Sequence, residues 1–140
     1  MWSLAALAFG IVYTALISIN YYVQLAWVAP RLAEGRIQGG MRPFLFVPFD
    51  SFLYAVDILG YSFMSAATLL ASRVYQGGGV EGVARRFLLA NGLLLPFIAL
   101  QMYVHGLIWL AALWAVTFPG STWALAILFR RMDQRGVGGE

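Results

Sequence analysis

Apolar residues fill the chain in long stretches, separated by short clusters of arginine, glycine and proline. The first stretch covers residues 2–29 and is closed by Pro30 and Arg31. The second covers 50–72, with Asp50 or Ser51 placed to cap its start and Arg73 and the Gly77-Gly78-Gly79 run closing it. Between positions 87 and 129 there is no Asp, Glu, Lys or Arg. A helix needs about 20 apolar residues to cross hydrocarbon, so that run is too long for one crossing. A break at His105-Gly106 divides it into spans over 85–104 and 107–131. The competing break, Pro119-Gly120, would leave too few residues behind it to cross, and reads as a kink within the last span. Barrel strands are shorter and alternate in polarity, so these runs predict an all-α membrane protein: a four-transmembrane-helix bundle forming one domain over residues 1–140.

The loop over 30–48 carries Arg31, Glu34, Arg36, Arg42 and the Gly39-Gly40 pair. The segment 43–49 beside it is apolar, punctuated by Pro43 and Pro48, and too short to cross. It predicts a piece lying at the interface or dipping into the mouth of the bundle. The N-terminal run lacks a basic leader and a clear cleavage site, and reads as the first span.

Composition agrees with the pattern. Hydrophobic residues make up 61% of the chain and charged residues 11%, with a mean hydropathy of +0.78. A soluble domain carries roughly a quarter charged residues. With four spans, both termini and the connection near residue 80 share one side. That side holds Arg73, Arg85, Arg86, Arg130, Arg131 and Arg135, against Arg31, Arg36 and Arg42 on the other. The bias predicts a multi-pass protein of the cell membrane with both termini in the cytoplasm.

The basic residues are all arginine, which excludes lysine Schiff-base chemistry, and the absence of cysteine excludes thiol redox and iron–sulfur ligation. The net charge of +3 is spread over juxtamembrane positions, with no motif for nucleic acid. A single histidine cannot ligate a haem from both sides within one chain. No nucleophile–base pair at a diagnostic spacing appears, so no catalytic residue, metal ligand or cofactor is assigned. The glycine run at 77–79 lacks the Lys and Thr of a phosphate loop and reads as a linker.

Polar side chains inside hydrocarbon are costly and turn toward the bundle interior. Asn20 and Gln24 are spaced i, i+4 in the first span. Asp50, Tyr54, Asp57 and Tyr61 are spaced i, i+4, i+7, i+11 in the second. Gln101 and His105 are spaced i, i+4 in the third. Each set shares a helix face, and the alternating span directions bring all three to the outer half of the membrane. The eight residues predict an outward-facing polar pocket, with Asp57 in reach of Asn20, Gln24, Gln101 or His105; a pair with His105 would make a proton-linked switch. Tyr21, Tyr22, Tyr75, Tyr103, Trp27 and Trp109 read as interfacial belts. Ala6 with Gly10, and Ala111 with Ala115, read as small-residue packing pairs.

The run Asn20-Tyr21-Tyr22-Val23-Gln24-Leu25 followed by Pro30, the run Asp57-Ile58-Leu59-Gly60-Tyr61-Ser62-Phe63-Met64-Ser65, and the closing Phe129-Arg130-Arg131 resemble a family of uncharacterised small four-span membrane proteins of bacteria and archaea. Relatives often carry two adjacent acids before Leu-Gly-Tyr, where this chain has Val56 and Asp57. The resemblance implies the four-span layout and no function.

Three functional readings follow. The leading one is a small-ligand or ion pocket with a sensing or transport role. The alternative is a non-catalytic accessory or structural subunit, in a homo-oligomer or a larger membrane complex, whose polar groups only fix packing. The third is a membrane enzyme acting on a lipid-like substrate. The lipid bilayer is the partner common to all three.

Overall fold

In a computed structural model, the described residues are 1–36 and 39–137, without the side chains of 135–137, so Arg135 of the charge count lies outside the described side chains. They form an all-α four-helix bundle with no strand among them. The four long helical units, Trp2–Ala33, Phe52–Ala71, Val80–Leu100 and His105–Gln134, are each long and apolar enough to cross a membrane.

The first unit runs past the expected end at residue 29. Helix α1 (Trp2–Tyr22) passes through a wider, π-wound stretch (Val23–Val28) into α2 (Ala29–Ala33). Pro30 stands in the first turn of α2, inside the continuous helical unit, where it removes one backbone hydrogen bond. It therefore redirects the winding before it instead of stopping the helix. A short 3-10 helix, Gly39–Phe44, begins the return.

Helix α3 (Phe52–Ala71) starts at Ser51, whose Oγ accepts from the Tyr54 and Val47 backbone N–H groups at 3.2 and 3.1 Å. Asp50 is outside the helix. Ser51→Ala removes the acceptor for two amides and should cost about 1 kcal/mol of stability. Reversible unfolding in mixed micelles measures this; an unchanged midpoint would show that the cap contributes nothing.

The third unit begins earlier than residue 85 because Glu81 organises the turn ahead of it. Its carboxylate accepts from the amides of Gln76 and Gly77 at 2.8 and 2.9 Å, and Gly79 turns the chain with φ +60, in the left-handed region open to glycine. Helix α4 (Val80–Leu93) gives way at Leu94 to α5 (Leu95–Leu100), with Pro96 in the first turn of α5. The break expected at His105-Gly106 is spread over 101–107: α5 ends at Leu100, and a 3-10 turn (His105–Leu107) leads into α6 (Ile108–Ala111). Helix α7 (Trp114–Val137) contains Pro119. The last unit is interrupted upstream of that proline, at Ala112-Leu113, where the amides of Ala115 and Val116 bond back three residues.

Packing runs as a row: α1 on α3, α3 on α4 and α5, and α4 on α7. The α3–α4 seam is closest at Gly92, where a Cβ would meet the Leu69 backbone nitrogen at 2.8 Å. Gly120 likewise admits the Phe87 ring. Asn91 ties three helices together, donating to Thr68 Oγ1 at 3.0 Å and accepting from Thr117 Oγ1 at 2.8 Å. The small-residue pairs lie elsewhere than expected. Nothing stands within 4 Å of a Cβ built at Gly10, and Ala115 is exposed while Ala111 is buried. Large side chains of α1, including Leu4, Leu7, Ile11 and Ile19, face outward. The apolar core of Tyr54, Ile58, Leu94, Ile98 and Ala111 sits toward the end opposite the termini.

Candidate functional site

Asp57 is the sixth residue of α3, about 8 Å along the helix from its start at 1.5 Å per residue. A carboxylate at that depth must be turned inward and given a donor. The α1–α3 contact supplies one: Asn20 Nδ2 donates to Asp57 Oδ1 at 2.8 Å. Asn20 has no exposed surface and Asp57 only 6%. Among the described residues no cationic side chain pairs with Asp57.

Beside this pair lies a cavity of about 400 Å³ with Asp57 and Gln101 in its wall, within the range of small-molecule sites. Most of the rest of the wall is aromatic or aliphatic: Tyr21, Phe46, Tyr54, Tyr61 and Trp114 all border it. The Tyr54 hydroxyl donates to Gln101 Oε1 over a long 3.4 Å, while Gln101 Nε2 donates to the Ile98 carbonyl at 3.0 Å. Tyr61 lies against Trp114 with ring centroids 4.8 Å apart, and against Tyr13 at 6.1 Å.

The loop before α3 leans on this wall. Phe46 and Phe49 meet the Tyr54 ring edge-on at 5.5 and 5.3 Å, and Trp27 meets Phe44 at 5.1 Å. The apolar segment thus packs its aromatic side chains onto the bundle end. Phe49 takes φ 65, which is strained for a bulky residue. Its ring is held on one side by Tyr54 and on the other by His105, stacked at 4.2 Å.

The eight candidate residues therefore separate. Asn20, Tyr54, Asp57, Tyr61 and Gln101 gather at or behind the cavity wall. Gln24 instead donates to the Phe44 carbonyl at 3.0 Å and anchors the loop; one turn beyond Asn20 and inside the π-wound stretch, it lies past Asp57. Asp50 forms an exposed ion pair with Arg42 at 2.7 Å, because the helix starts only after Ser51. His105 is exposed on Phe49. Its expected helical relation to Gln101 fails because α5 ends at Leu100. Of the aromatic wall, Tyr54 and Tyr61 were expected from the sequence, whereas Phe46 and Trp114 were not, and Tyr21 reads there as an interfacial residue whose place directly after Asn20 alone points to the cavity. Asn91, Thr68 and Thr117 form the second buried network described above.

The chain matches no protein-family model, no curated protein and no solved structure.

Proposed function

We propose that this chain is a multi-pass protein of the cell membrane whose cavity at the end opposite the termini binds a small ligand from the aqueous phase, in a sensing or transport role. The observation that carries the reading is Asp57: a carboxylate in the wall of a 400 Å³ cavity with one neutral amide as its protein donor. A carboxylate kept only for packing is better served by full pairing, because an unpaired buried charge is costly. The arginine distribution favours an orientation with both termini in the cytoplasm, in which the cavity opens outward.

The absence of native cysteine makes the test clean. Ala112 borders the cavity, whereas Ala84 is fully buried. In intact cells, Ala112→Cys should react with a membrane-impermeant maleimide and Ala84→Cys should not. Reaction only after permeabilisation would keep the cavity and reverse the orientation. If Ala112→Cys stays as inert as Ala84→Cys in micelles too, the site is dry. The polar cluster is then packing in an accessory or oligomeric subunit.

A further inference from the structure

We infer that the ligand is a small organic cation, an amine or quaternary ammonium compound, with Asp57 as its counter-charge and the rings of Tyr54, Tyr61 and Trp114 around it. The inference rests on the cavity being a ligand site and specifies the chemistry of what enters it.

The Asp57 carboxylate is only half satisfied by protein donors. Asp57 Oδ1 is taken by Asn20, and no protein group among the described residues donates to Asp57 Oδ2. Behind the cavity wall, the buried Oδ1 of Asn20 has no donor among the described residues. Gln101 gives one amide N–H to the Ile98 carbonyl and turns its oxygen toward Tyr54. Among the described residues no arginine or histidine borders the cavity, so an anion would meet a carboxylate with nothing there to offset it. A neutral apolar ligand would leave that carboxylate desolvated, which is costly.

The remaining wall points the same way. Aromatic faces carry negative potential and attract ammonium groups within about 6 Å of the ring centre. Tyr61 and Trp114 are neighbours at 4.8 Å, on the same cavity as Tyr54 and Asp57. A metal cation is a poorer match, since it needs several oxygen ligands, and among the described residues no group of three His, Cys, Asp or Glu side chains comes together. An alkylammonium ion needs one carboxylate and neighbouring aromatic rings, and both border this cavity.

Choline and its uncharged tert-butyl isostere have nearly the same shape and differ by one charge. In micelles, choline should slow the reaction of Ala112→Cys with an uncharged maleimide at least tenfold at saturation, and the isostere should not. Adding Asp57→Asn should weaken choline protection by about tenfold or more, the effect of losing one charged contact of about 1.4 kcal/mol. Trp114→Leu, which leaves the Asn20–Asp57 pair untouched, should weaken it several-fold. It serves as the second variant if Asp57→Asn does not fold. Equal protection by both compounds, or by neither while the cysteine still reacts, overturns the cation assignment and leaves the cavity standing. A cysteine that does not react at all overturns the cavity reading and the assignment with it.

Discussion

Asn20→Leu should destabilise the fold by roughly 2 kcal/mol, because it strips from the Asp57 carboxylate its one protein donor among the described residues and leaves the charge to water alone. The loss should be recovered in large part by a second change, Asp57→Leu, which removes the charge as well. Two residues joined by a 2.8 Å hydrogen bond must be non-additive in this way. The measurement is a double-mutant cycle on reversible unfolding in mixed micelles. Simple addition of the two single losses would show that Asn20 and Asp57 do not interact. A loss for Asn20→Leu within about 0.5 kcal/mol, typical of sites without special features, would place Asp57 elsewhere than in the α1–α3 contact.

Gly92→Leu should be comparably damaging, by about 3 kcal/mol, the upper end of ordinary overpacking. The atoms a side chain would strike are Leu69 Cβ at 2.6 Å and the Leu69 backbone Cα and nitrogen at 2.7 and 2.8 Å from the first added carbon, and backbone cannot swing aside as a side chain can. The α3–α4 seam must open, and the Asn91–Thr68 hydrogen bond one residue away opens with it. Gly10→Leu is the control: nothing stands within 4 Å of its Cβ position, and its stability should stay within about 0.5 kcal/mol. Equal effects at the two glycines would mean that the seam is not where α3 and α4 meet.

The four-helix layout was legible because hydrocarbon thickness sets a length. A stretch without charge from 87 to 129 has to fold back on itself. The inward turn of Asp57 was legible for a similar reason, since a charge in lipid has few places to go. Its partner was not. Spacing of i, i+4 says that Asn20 and Gln24 share a face, but one helical turn decides which of them meets Asp57 and which meets the Phe44 carbonyl. His105 was misplaced because the helix before it ends at Leu100, and no proline or glycine stands between 97 and 104 to mark that end. The windings around Pro30 and Pro96 were also hidden: a proline shows that one hydrogen bond is lost, and the neighbouring helices determine how the backbone makes up for it. Aromatic residues were read by their frequency at membrane interfaces. That habit concealed Tyr21, which borders the cavity, while fitting Tyr22, Tyr103 and Trp109, which are exposed.

The central claim is that Asp57 stands at a wetted cavity and not inside a dry polar knot, and the molecule carries its own standards for the difference. Asp50 is an exposed carboxylate in an ion pair, and Asn91 is a fully buried side chain with protein partners on both its atoms. Water-edited solid-state NMR in lipid bilayers reads how fast magnetisation passes from water to each side chain. The Asp57 carboxyl carbon should build up at a rate close to that of Asp50 and well ahead of the Asn91 amide carbon. A build-up for Asp57 as slow as that of Asn91 would contradict the account and leave the Asn20–Asp57 pair as a packing device.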